Sequence, residues 1–305
     1  MNFMLDRTGT KVQYGIMYKL SAGKRAQALH MLVEGNSLRA TARLADLALN
    51  TVTKLFVDAG RACADYQDRA LRNLPCKRLQ LDEIWSFIYA KAKNVPAARN
   101  APPGAGDVWT WMAIDADTKL VPSWHIGTRD GYVAEVFVRD LASRLANRVQ
   151  ITTDGHRPYL EAVESAFGAD VDYAMLQKIY GPSPEGQRRY SPAECIGIQE
   201  RVIEGNPDPA HISTSYVERQ NLTMRMSIRR FTRLTNAFSK KLENHAHSVA
   251  LHYMHYNFAR IHKSLRITPA MAAGVTDRVW DVKDIVAVLE AWERKREYAR
   301  LTAHV

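Results

Sequence analysis

The 305-residue chain is 46% hydrophobic and 24% charged, which supports a packed core and excludes wholesale disorder. Its apolar runs fall short of the ~18 residues that span a bilayer. The first residues lack a basic region followed by an apolar stretch, and Cys63, Cys76 and Cys195 form no CxxC pair. A signal peptide, a membrane helix, a disulfide framework and a cysteine zinc site are therefore not expected, and a reducing, cytoplasmic setting fits best. Lys and Arg total 42 against 32 Asp and Glu, a net charge of +10, which suits a polyanionic partner. Seven of these cations, Arg219, Arg225, Arg229, Arg230, Arg233, Lys240 and Lys241, fall in one stretch that holds no acid.

The length suggests about two domains. Residues 1–22 read as a poorly ordered or extended arm. Residues 23–74 read as three helices over 24–34, 37–45 and 51–59. Gly35-Asn36 ends the first, Ser37 can cap the second, and Asn50 can cap the third. Two short helices across a tight turn, behind a support helix, have helix-turn-helix spacing. Asn50, Thr51, Thr53 and Lys54 then lie near the start of a DNA-recognition helix. An ordinary helical bundle shares that spacing.

From residue 75 the pattern changes. Residues 78–89 are rich in β-formers, 91–107 read as a polar loop, and 108–114 and 120–126 read as two further strands of a meander. A helix over 132–146, a strand over 149–153, a helix over 158–167 and a strand over 171–180 follow. Residues 181–209 carry many Pro and Gly and read as a connector. Helices are expected over 215–230 and 240–261. This order gives a mixed α/β sheet with helices against it. The expected units are the arm 1–22, a helix-turn-helix domain 23–74, a catalytic domain 75–265 and a helical extension 266–305.

Acids interrupt this apolar pattern. Asp82 and Glu83 sit within Leu79-Gln80-Leu81-Asp82-Glu83-Ile84-Trp85, on opposite faces of a strand. An unpaired carboxylate there is costly. Asp154 stands where the strand 149–153 stops, beside Gly155. Glu218 lies on a helix next to the basic run. Each has an ordinary structural use, in a loop bond, a turn or a surface ion pair. Asp82, Asp154 and Glu218, from two strands and one helix, would together form an all-oxygen set suited to Mg²⁺ or Mn²⁺. His252 and His255 share a helix face, but no cysteine or acid completes a zinc set around them.

The blocks Leu81-Asp82-Glu83-Ile84-Trp85-Ser86-Phe87, Thr153-Asp154-Gly155 and Val217-Glu218-Arg219-Gln220-Asn221-Leu222-Thr223 resemble the three acidic motifs of the transposases of the insertion sequence one family. The resemblance covers about residues 79–265. It implies a prokaryotic, nucleoid-associated DDE transposase with an RNase H-like core. Asp82, Asp154 and Glu218 match its catalytic, metal-holding acids. Element ends and target DNA would be its partners, and it would work as a homo-oligomer on DNA. Arg225, seven positions after Glu218 and so on the same helix face, matches a basic residue near the transposon-end phosphate. Asn221 would orient Glu218 or contact DNA, and Arg219, Arg229, Arg230 and Arg233 would contact phosphates. The cysteine zinc ribbon with which members of that family often begin is missing. A nuclease that cuts without joining, and a DNA-binding regulator with a degenerate catalytic domain, are the rival readings.

Overall fold

The computed structural model describes residues 4–5, 11–12, 20–181, 194–232 and 235–302. Most of the expected arm 1–22 therefore lies outside the described residues. Within it a short antiparallel pair is seen, β1 (Met4–Leu5) with β2 (Lys11–Val12). Helix α1 (Ala22–Val33) starts at Ser21, whose hydroxyl accepts from Lys24 N. It ends at Gly35, where φ of +84° favours a residue without Cβ. Ser37 caps α2 (Leu38–Leu44) as expected, accepting from Ala40 N at 3.0 Å.

Helix α3 (Leu49–Ala70) departs from expectation at both ends. Its N-cap is Ala48, which makes no side-chain bond, and Asn50 lies inside the first turn. It also continues through Gly60, past residue 59 where the sequence reading ends it. The reason is tertiary. Gly60 is where α3 meets α7 (Leu242–Phe258), and a Cβ there would lie 2.4 Å from His247 Cβ and 2.7 Å from its Cα. The missing side chain permits the close crossing, and burial of Ala59, Ala62 and Cys63 outweighs the low helix propensity of glycine.

The sheet starts with β3 (Arg78–Ile88), β4 (Gly106–Asp115) and β5 (Trp124–Gly127), paired antiparallel. β5 is shorter than its apolar sequence suggests, because Asn257 takes the peptide of Val121 out of the ladder. Its Oδ1 accepts from Val121 N and its Nδ2 donates to Val121 O, both at 3.0 Å. Helix α4 (Gly131–Ala142) leads to β6 (Val149–Thr153), parallel to β3, and α5 (Pro158–Phe167) to β7 (Val171–Tyr180), parallel to β6. One strand was not expected. β8 (Cys195–Glu204), within the supposed connector, pairs antiparallel with β7. The order β5-β4-β3-β6-β7-β8 is a mixed sheet flanked by helices, an RNase H-like α/β arrangement with one added edge strand.

Helix α6 (Ser215–Ser227) crosses one face and buries Val217 and Met224 with Ile84, Met112 and Tyr253. The other face shares a continuous apolar cluster with the N-terminal helices, from Leu29 and Phe56 through Leu79 and Trp111 to Leu289. Leu289 belongs to α9 (Val282–Thr302), which follows the short α8 (Pro269–Ala272) and packs on α1 and α3. Among the described residues no helix is long and apolar enough to cross a membrane.

Candidate active site

β6 covers only the first part of β3 and stops well before its end. Their last parallel pair is Leu81 with Thr153, so Asp82 is the first residue of β3 beyond that partner, and Asp154 the first residue beyond β6. Asp154 turns the chain by accepting from His156 N through Oδ1 at 2.9 Å. Asp82 accepts from Glu83 N through Oδ1, and from Asn221 Nδ2 of α6 through Oδ2 at 2.7 Å.

Strand alternation sends Glu83 to other partners. Its Oε1 accepts from Arg129 Nε at 2.5 Å and its Oε2 from the Tyr159 hydroxyl at 3.1 Å. Opposite strand faces do not keep the acids apart, however. Asp82, Glu83 and Asp154 each present an oxygen within 4.8 Å of the others, because the early end of β6 opens the gap between them. Glu218 opens onto the same cleft, of about 540 Å³, but is already held. Lys178 Nζ of β7 lies 2.5 Å from both its oxygens, and Thr214 Oγ1 donates to one at 2.7 Å.

The electrostatics follow from this crowding. Burial, then the charges of Glu83, Asp154 and Glu218, push the Asp82 carboxyl up to about 7. Burial and Asp154 raise Glu83 as well, against the pull of Arg129. Arg129 also reaches toward Asp154, with Nη2 3.9 Å from Oδ2. Among the described residues, Glu83 and Asp154 thus share the single cation Arg129, Asp82 is hydrogen-bonded only to Glu83 N and Asn221 Nδ2, and the clustered oxygen donors suit a hard divalent ion.

Glu83, Arg129 and Lys178 were not singled out from the sequence. The readable signal was the Asp-Glu pair inside an apolar strand. The residues expected to meet DNA are dispersed. Arg219 and Arg229 are exposed, and Arg225 is half-buried on α6. Asn221 faces inward to Asp82, with its Oδ1 buried and unpartnered. Arg230 also turns inward, over the Phe56 ring. Arg233 lies outside the described residues. Asn50, Thr51 and Lys54 line a cleft against Trp292 and Arg296 of α9. Lys54 pairs with Asp58, and the Thr53 hydroxyl donates to Leu49 O. Among the described residues, no histidine belongs to a cluster able to hold a metal.

No family model matches the chain, and no curated protein matches it. Among the solved structures that are similar in part, three are transposase complexes. One is a piggyBac transposase synaptic complex with hairpin DNA, at 12% identity and a TM-score of 0.39, covering 93% of this chain and 74% of that one. The Mos1 transposase paired-end complex with the left transposon end has 14% identity and a TM-score of 0.20, covering 52% and 60%. The Mos1 mariner paired-end complex with Mn has 12% identity and a TM-score of 0.20, covering 50% and 59%.

Proposed function

We propose that the chain is a DDE transposase of the insertion-sequence type, cutting and joining DNA strands by divalent-metal-dependent phosphoryl transfer. The observation that carries this reading is the meeting of Asp82, Asp154 and Glu218 in one cleft. They come from a central strand, the end of its parallel neighbour and a crossing helix. Asp82 and Asp154 would hold Mg²⁺ or Mn²⁺ from the sheet, and Glu218 from α6. When bound, such ions polarise the phosphoryl oxygens and neutralise charge that develops during transfer. Release of Glu218 from Lys178 would let it close on the other two acids of the cleft and would free the ammonium for a phosphate of the strand. Asn221 holds Asp82 toward the cleft, and Glu83 with Tyr159 holds Arg129 at its edge. No side chain serves as a covalent nucleophile. The exposed Arg219 and Arg229 contribute salt-sensitive contacts to element ends and target DNA, and α2 with α3 would recognise the ends.

The test uses duplexes carrying inverted repeats that flank the reading frame, with Mg²⁺ or Mn²⁺ added. Cleavage followed by strand joining is expected. Asp82→Asn, Asp154→Asn and Glu218→Gln should each abolish it and leave DNA binding largely intact. Near-normal cleavage by one variant removes that acid from the site. Cleavage without joining favours a nuclease, and binding without cleavage a regulator.

A further inference from the structure

A second cavity, of about 690 Å³, lies between the first helices and the segment that links α6 to α7. Arg39, Arg229, Arg230 and Lys240 line it, and no Asp or Glu does. Arg39, Arg229 and Lys240 are exposed. Arg230 is turned inward, its guanidinium 4.9 Å from the Phe56 ring centroid. Its Nη1 donates to Ser239 Oγ at 3.0 Å, and among the described residues it has no carboxylate partner. Burial lowers its pKa to about 10.

A buried relay fixes this guanidinium. Ser239 Oγ lies 3.0 Å from His245 Nδ1, His245 Nε2 lies 3.2 Å from Ser86 Oγ, and Ser86 donates to Val108 O. A neutral His245 with its proton on Nε2 gives every link one donor and one acceptor. Burial, helped by Arg230, keeps that ring neutral by holding its pKa down to about 3. The guanidinium is therefore anchored by one nitrogen and keeps other N–H donors for the cavity. His252 lines the same cavity. It is 5% exposed, and its Nε2 has no hydrogen-bond partner.

A guanidinium withdrawn from water without a counter-charge is costly, and its planar fork matches the oxygens of a phosphate. Four cations and no acid make the cavity lining electropositive, and the buried, neutral His252 ring offers it an Nε2 without a hydrogen-bond partner. We propose that it binds a phosphate group, held by Arg230, His252 and Lys240 and supplied by a nucleic-acid strand. The strand as source rests on the proposed DNA reaction, whereas the phosphate site stands on the cavity alone.

The experiment uses the full chain, free of DNA and divalent ions. Thermal unfolding in sodium phosphate is compared with sodium chloride at equal ionic strength, and phosphate affinity is read from ³¹P line broadening. Phosphate should raise the wild-type Tm by several degrees beyond chloride. Arg230→Gln should weaken phosphate roughly tenfold or more, the loss of a charge-assisted contact. If Arg230→Gln does not fold, the exposed pair Arg39→Gln and Lys240→Gln should carry the loss. A short single-stranded oligonucleotide should displace phosphate from the wild type. Phosphate binding that the oligonucleotide leaves untouched overturns the strand as source and assigns the site to free phosphate. No phosphate-specific shift, or an equal shift in the substituted chains, overturns the site. That result alongside metal-dependent DNA cleavage would leave the proposed reaction standing.

Discussion

Asp82→Asn is expected to stabilise the metal-free protein even as it abolishes cleavage. The carboxyl is lifted from its ordinary 3.8 to about 7 by burial and by three neighbouring acids. At 1.36 kcal/mol per pH unit, the ionised form therefore costs the fold at most about 4 kcal/mol. Relaxation and water entry reduce this, and about 2 kcal/mol is the working figure. An amide keeps the shape and can still accept from Glu83 N. It can also donate to Asn221 once that side chain flips, giving the unpartnered Asn221 Oδ1 a bond. The sign fixes the pH window. The folded carboxyl holds its proton to about 7 and the unfolded one loses it near 3.9, so wild-type stability falls as pH rises between those values. The gain from Asp82→Asn should be negligible at pH 4, grow through pH 5–7 and level off above about 8. At about 2 °C per kcal/mol for a chain of this size, that is roughly 4 °C in Tm. Thermal melts in chelator at pH 4, 6 and 8 measure it. No gain at pH 8, or the same gain at pH 4, would refute the account of charge crowding.

Gly60→Ala should cost about 2–3 kcal/mol, because the new methyl meets the His247 backbone rather than a movable side chain; the denaturation midpoint reports it. Arg129→Ala strands Glu83, whose side chain is 1% exposed, without its cation. A loss of about 2–3 kcal/mol is expected at pH 8 and a smaller one as the pH falls, because burial and Asp154 already favour the protonated form of Glu83; melts at pH 8 and pH 5 check this. Arg219→Ala and Arg229→Ala, at exposed positions, should each flatten the slope of log K against log salt by about 0.9. DNA binding across a salt series would show whether they do.

Local chemistry was enough to read the central elements. The strand at 149–153 and the helix at 158–167 stand where apolar periodicity and Pro158 place them, and Ser37 caps its helix because the cap bond is local. The acids Asp82 and Asp154 were also legible, since a carboxylate inside or at the end of an apolar strand is a local anomaly. What the sequence could not decide depends on partners distant along the chain. β8 forms because β7 offers an open edge, although its own side chains stay mostly exposed and leave no burial pattern to read. Helix α3 runs through Gly60 because α7 needs the space. Glu83 joins the acidic cluster because β6 ends at Thr153, level with Leu81 and short of the acids on β3, and Lys178 reaches Glu218 only after β7 and α6 are brought together. Arg230, one cation among seven in a basic stretch, turns inward because Phe56 and the Ser239–His245–Ser86 relay hold it there. Composition set the charge and periodicity set the elements. Which charges share a cleft was decided by where strands end and where helices cross, and that is a property of the packed chain.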